Sequence, residues 1–180
     1  TPAVADARAA LDEALARPTA GPPLAALVAP GQRVAISICD VTRAQPRQVM
    51  VEAILAALPG TRLDDVTLLV ATGTHRANTP EELARMLGAD LVARCHIVNH
   101  DARDEGALTF AGTTSRGVPV WLNRHWLEAD VRLTTGFVEP HFFAGFSGGP
   151  KMVAPGLAGL ATTLVLHDAR HIGHTNAVWG

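Results

Sequence analysis

The sequence predicts an α/β fold of Rossmann-like character: a mostly parallel sheet with helices on both faces and some antiparallel hairpin character. Three observations carry that expectation. Short, continuously apolar runs alternate with amphipathic stretches of helical period, as strands buried on both faces require. The best-marked helix carries its own start and stop signals. One long stretch alternates around a turn instead, which is the mark of a hairpin.

In order, residues 4–16 (VADARAALDEALA) have the apolar spacing of a short helix, and residues 18–31 form a Pro/Gly-punctuated connector. Residues 33–39 (RVAISIC) read as a buried strand; Pro46 then suits a first helical turn, with RQVMVEAILAAL as the helix. Residues 65–72 (DVTLLVAT) form a second strand, GTHRAN a loop and TPEELARMLG a helix. Thr79 and Glu82 have capping-box spacing, Pro80 takes the first helical position and Gly88 closes the far end. Residues 93–100 (ARCHIVNH) give a third strand, 106–123 a hairpin around TTSRG, and 130–138 (DVRLTTGFV) another buried strand. A helix is expected from Gly156 to about His171.

The chain of 180 residues is read as one domain, 1–180, and as a fragment, since it begins without Met and stops at NAVWG. With 48% apolar and 18% charged residues it is globular rather than disordered. A formal charge of −2 excludes the basic footprint of a nucleic-acid binder, and no apolar run reaches membrane-span length. Two cysteines, Cys39 and Cys95, are too few for a disulfide scaffold. They read as reduced core residues of a cytoplasmic protein.

In a parallel sheet ligands bind outside the carboxyl ends of the strands. Three unusual segments fall there: DVTR, ATGTHR and EPHFFAGFSGGPK. The last holds the chain's single lysine, Lys151, against fourteen arginines. An amine can lose its proton and form a covalent bond, whereas a guanidinium stays charged. Gly148 and Gly149 precede it, but Pro150 and Met152 stand where a P-loop needs Gly and Ser or Thr, so an ATPase loop is rejected. Glycine-rich backbone can still cradle a phosphate. A tight turn with a solvated lysine is the plainer reading.

Arg43 is a candidate carboxylate clamp, and Asp40 an acceptor for a ribose or hydroxyl, with a local ion pair as the structural alternative. His75 and His141 are candidate acid/base groups. His167, His171 and His174 have the spacing H-x3-H-x2-H, which leaves a zinc site open as an alternative. His96, His100 and His125 attract no role.

At DVTR, ATGTHR and above all PHFFAGFSGGPKMVAPGLA, the sequence resembles the nickel-dependent lactate racemase family, from about residue 30 to the end. Lys151 lies ten positions after His141, and His167 sixteen after Lys151, as in that family. The resemblance implies the N-terminal domain of a 2-hydroxy acid racemase or epimerase that works by hydride transfer through a 2-keto acid. It implies a nickel-pincer nucleotide (pyridinium-3,5-bisthiocarboxylic acid mononucleotide) tethered at Lys151, with His167 as a nickel ligand and Asp40 nearby. His75 and His141 would be the acid/base pair and Arg43 would grip the substrate carboxylate. The expected partners are a small 2-hydroxy acid, a C-terminal domain absent from this chain, and the enzymes that build the cofactor. Protein from a host lacking those enzymes would carry a free Lys151. Two rival readings are a zinc hydrolase using His167, His171 and His174, and a non-catalytic nucleotide-binding domain.

Overall fold

The computed structural model describes residues 4–142 and 144–177. Helix α1 (Ala7–Ala16) is capped by Asp6, whose carboxylate accepts the Ala9 N–H at 3.0 Å. Then come β1 (Val34–Cys39), α2 (Arg47–Ala56), β2 (Val66–Ala71), α3 (Pro80–Leu87), α4 (Ala89–Arg94) and β3 (His96–Asn99). The hairpin β4 (Leu108–Thr113) and β5 (Pro119–Asn123) leads through α5 (Arg124–Glu128) to β6 (Val131–Thr134). A two-residue ribbon, β7 (Pro140–His141) and β8 (Gly145–Phe146), precedes α6 (Leu160–Leu166) and α7 (Ala169–Ile172).

The main sheet runs β3-β2-β1-β6, and every pair in it is parallel. All six residues of β1 are buried, because β1 is central and both of its faces are covered. Val34, Ile36 and Ile38 point to a layer in which Val51 and Ile54 of α2, Met86 and Leu87 of α3 and Leu91 of α4 pack. Ala35 of β1 and Leu69 of β2 point the other way, to Leu122 of the hairpin, Trp126 of α5 and Leu157. Each fully buried Ile or Leu contributes about 2 kcal/mol of transfer free energy. Two such layers hold the sheet rigid. The fold class is the expected one, with the antiparallel element supplied by β4 and β5.

The α3 signals act as expected. Thr79 Oγ1 accepts the Glu82 N–H at 3.2 Å, and the Glu82 carboxylate accepts the Thr79 N–H at 2.9 Å. Glu82 also pairs with Arg76 at 2.6 Å, which holds its carboxyl down at about 2.

Three expectations are corrected. The strand over 93–100 is shortened to β3, because α4 takes residues 89–94. The strand over 130–138 ends at Thr134; the Thr135 N–H and hydroxyl both donate to the Ser37 carbonyl, at 2.9 and 3.1 Å, and turn the chain beside β1. The single helix over 156–171 becomes a turn followed by α6 and α7. Gly156 lies so close to Met152 that a Cβ there would sit 2.5 Å from the Met152 carbonyl oxygen. Asp168 then starts a new helix by accepting the His171 N–H at 2.8 Å.

The chain leaves β1 for β2 on one side, whereas β6 pairs on the other side of β1. The sheet's topological switch point therefore lies at the carboxyl end of β1, where a crevice opens.

Candidate active site

A cavity of about 390 Å3 occupies that crevice. Its walls include Asp40 and Arg43 after β1, His75 after β2, His141, Gly148 and Lys151 after β6, and His167 at the end of α6. Seven of the ten candidate site residues named from the sequence thus line one space. Gly149 does not line it; its φ of +47° forms the turn beneath Lys151.

Two buried polar side chains, Asp40 and Arg47, underlie the β1 side, where Thr42, Arg43 and His75 are exposed. Asp40 is buried, and its Oδ2 lies 2.7 Å from His75 Nδ1. Its other oxygen accepts the Thr42 hydroxyl at 2.6 Å and the Thr42 N–H at 3.2 Å. The local ion pair considered for Asp40 and Arg43 is not formed; Asp40 pairs with His75 instead. Arg43 is exposed, and its Nη1 donates to Thr42 Oγ1 at 3.1 Å. Arg47, which the sequence reading passed over as part of a helix, is buried and clasps this turn. Its Nε donates to the Cys39 carbonyl at 2.9 Å, and its Nη2 donates to the carbonyls of Asp40 and Arg43. An arginine at the start of the helix, eight residues past the end of a strand, is the signal the sequence offers.

The turn carrying His75 is fixed by its backbone. The His75 N–H donates to the Thr72 carbonyl at 3.0 Å, and the Gly73 N–H donates to the Gly156 carbonyl at 2.9 Å. Gly73 has a φ of +58°, a conformation that suits glycine.

Across the cavity the glycine-rich segment folds over Met152. Ser147, another residue not foreseen, ties its base: its hydroxyl donates to the Phe137 carbonyl at 2.8 Å and its N–H donates to the Glu139 carbonyl at 2.8 Å. Gly148 is required there. At φ +67° its Cα packs so tightly that a Cβ would lie 2.7 Å from the Phe137 carbonyl oxygen. A 3-10 turn over Gly149–Met152 then presents Lys151 to the cavity. Met152 is buried below, its carbonyl accepting the Ser37 hydroxyl at 3.0 Å and its sulfur 3.4 Å from the Cys39 thiol.

Burial, and next the Arg43 charge, push the Lys151 amine below the ordinary lysine range. A larger neutral, nucleophilic fraction follows. His141 is held below the usual histidine range by burial first and then by Lys151, Arg43 and His167. Its ring stacks on Phe142 with centroids 4.8 Å apart, and its Nδ1 accepts the Ala144 N–H at 3.3 Å.

The His167–His171–His174 zinc site is corrected. The helix breaks after His167, and His171 turns to Asp168 at 2.8 Å. Neither His171 nor His174 lines the cavity, and among the described residues no group of three His, Cys, Asp or Glu side chains could hold a metal ion. His167 shares its cavity instead with Lys151 and with Thr163, one turn earlier on α6. No helix among the described residues is long and apolar enough to cross a membrane.

The whole sequence, residues 1–180, matches the family described as lactate racemase N-terminal domain. The lactate racemase of Lactiplantibacillus plantarum is 34% identical over 171 residues, covering 94% of this chain and 40% of that protein. The lactate racemase of Thermoanaerobacterium thermosaccharolyticum is 35% identical over 150 residues, covering 83% of this chain and 35% of its own length. The solved structure of the lactate racemase apoprotein from the same organism superposes with a TM-score of 0.90 at 34% identity, over 96% of this chain and 42% of that one. A Thermotoga maritima protein, 24% identical with a TM-score of 0.68, shares the fold. The chain therefore spans less than half the length of these lactate racemases.

Proposed function

Because the chain belongs to the lactate racemase N-terminal domain family, we propose that it is the cofactor-holding half of a racemase or epimerase acting on 2-hydroxy acids. One observation carries the reading: a paired His75, a second histidine, an arginine, a low-pKa lysine and His167 all line one cavity at the switch point.

Those residues suit a nickel-pincer nucleotide. The amine of Lys151, kept partly neutral by burial, is the group a covalent tether needs, and the imidazole of His167 is a donor that nickel accepts. The cavity volume falls in the range of small-molecule pockets. When bound, the cofactor supplies the hydride acceptor that side chains lack.

The protein's own groups manage the proton and the substrate. Asp40 accepts the Nδ1–H of His75, which leaves the lone pair of Nε2 for a substrate hydroxyl proton. Nε2 takes the hydroxyl proton and returns it. A racemase must do this for both enantiomers, and His141 is the matching group on the opposite wall. Burial first, and then Lys151, Arg43 and His167, push His141 below the usual histidine range, which favours its proton-accepting form. Arg43 presents a guanidinium fork to the substrate carboxylate. The buried carboxylate of Asp40 stabilises the imidazolium formed at His75 during transfer.

The test uses the full-length protein from its native host. Intact-mass and peptide analysis is expected to find an adduct on Lys151, and the protein should interconvert the enantiomers of at least one member of a 2-hydroxy acid panel. Turnover with an unmodified Lys151 would overturn the tether. Loaded protein inert toward the whole panel would overturn the reaction class.

A further inference from the structure

His100 follows β3 and is 1% exposed. It lies outside the cavity, yet both of its ring nitrogens are engaged. Nε2 is 3.0 Å from the Ala158 carbonyl, and Nδ1 is 3.3 Å from Asn123 Nδ2. The partners dictate the tautomer. Asn123 Oδ1 accepts the His125 N–H at 3.0 Å, so the amide nitrogen of Asn123 faces His100 and must donate to Nδ1. Nε2 therefore carries the hydrogen and donates it to Ala158. Burial pushes the ring below the usual histidine range, in agreement with a neutral imidazole.

The backbone of His100 completes a bridge. Its N–H donates to the Val70 carbonyl at 3.1 Å, and its carbonyl accepts the Thr72 hydroxyl. Thr72 in turn accepts the His75 N–H. On the far side, the Ala158 N–H donates to the Pro155 carbonyl at 3.1 Å, and the Gly156 N–H to the Lys151 carbonyl at 3.1 Å. One buried residue thus grips, through its main chain, the turn that carries His75 and, through its ring, the segment that carries Lys151.

We infer that His100 is a positioning residue that sets the separation of His75 from Lys151 across the cavity. The inference rests on the reading of these two residues as proton-transfer group and cofactor anchor. Geometry carries it: the Gly73–Gly156 hydrogen bond joins the same two segments nearer the cavity, and the His100–Ala158 bond is a second, buried tie between them. Displacements of about 1 Å at reacting groups cost up to 100-fold in rate, so the separation is kinetically important.

Two polar substitutions separate positioning from packing. Glutamine places an amide N–H where Nε2–H stands and can reach the Ala158 carbonyl; asparagine is shorter and stops at the level of Nδ1. In full-length, cofactor-loaded enzyme, His100→Gln is expected to keep kcat within about threefold of wild type, and His100→Asn to lose about tenfold or more with KM changed less than threefold. Amide exchange at the assay temperature reports the folded population of each variant. A His100→Asn kcat equal to wild type would overturn the inference. So would a loss in both variants alike, or a loss in His100→Asn that matches its missing folded fraction. Wild-type enzyme that turns over no 2-hydroxy acid would sink the functional reading instead. In that case the amide protection of Gly73 and Gly156 still decides: it should fall in His100→Asn and persist in His100→Gln, and unchanged protection in both would sink the bridge.

Discussion

On one wall of the cavity, Asp40 stands one residue past the end of β1 and His75 four residues past the end of β2. On the other, His141 and Lys151 ride a segment with left-handed glycines at 145, 148 and 149. The first wall is held by hydrogen bonds to Thr42, by the clasp of Arg47 and by the Gly73–Gly156 bond. The second is held by Ser147 at its base and by Met152 beneath. One wall is tied into the strand ends; the other is a jointed arm. The difference teaches where precision resides. In the proposed function the His75 ring takes its direction from the Asp40 carboxylate at a strand end, whereas His141, on the arm, takes its direction from Phe142 and the Ala144 N–H.

The comparison can be broken hardest at Asp40. Asp40→Asn removes the charge that fixes the His75 tautomer, and turnover should fall on the order of a hundredfold or more with little change in Tm. Steady-state kinetics beside a melting curve checks this. A wild-type kcat would mean that the buried carboxylate does not orient the ring.

On the jointed wall the expected effect is on the segment itself. Gly148→Ala places a Cβ against the Phe137 carbonyl in a backbone region hostile to side chains, and should cost about 3 kcal/mol; Gly149→Ala, strained but facing open space, should cost about 1. Chemical denaturation of both variants measures the contrast. Equal costs would deny the close approach at Gly148.

A finer test concerns charge. Arg43→Met removes the second cause of the low Lys151 pKa and leaves burial, the first, in place. The pH at which the amine reacts with an acylating reagent should rise part of the way toward that of an ordinary lysine. Lys151 is the chain's single lysine, so peptide mass spectrometry reads the site without ambiguity. An unchanged labelling profile would separate Arg43 from the anchor electrostatically.

The smallest effect lies outside both walls. Glu82 titrates at about 2 when folded, below its unfolded value near 4.5, so the folded state gains stability from it above pH 4.5 and loses that gain as pH falls through about 2. Glu82→Gln should lower Tm by a few degrees at neutral pH, and the gap to wild type should close under strong acid. A gap that persists would assign the effect to packing.

Much of this was legible in the sequence because apolar runs and caps are local signals. The buried run in β1, the α3 capping box and the hairpin all stand where their patterns put them. The three loops converge because a parallel sheet leaves few other places for strand ends to lead. Long-range hydrogen bonds were not legible. Nothing local says that Asp40 bonds to a side chain thirty-five positions away, or that His100 reaches Ala158. The break at His167 was hidden for a related reason. LATTLVLHDARH has continuous helical character, and the cap formed by Asp168 divides it.

The place of β1 in the sheet has a consequence for how the molecule comes apart. β1 shares a ladder with β2 along its whole length and with β6 over Val34–Ser37, so it exchanges hydrogen bonds on both edges while covered on both faces. Its amides should be among the last to exchange with solvent, at the free energy of global opening. Asp40 is attached to the end of that strand. The carboxylate beside His75 is therefore moored to the part of the sheet that opens last.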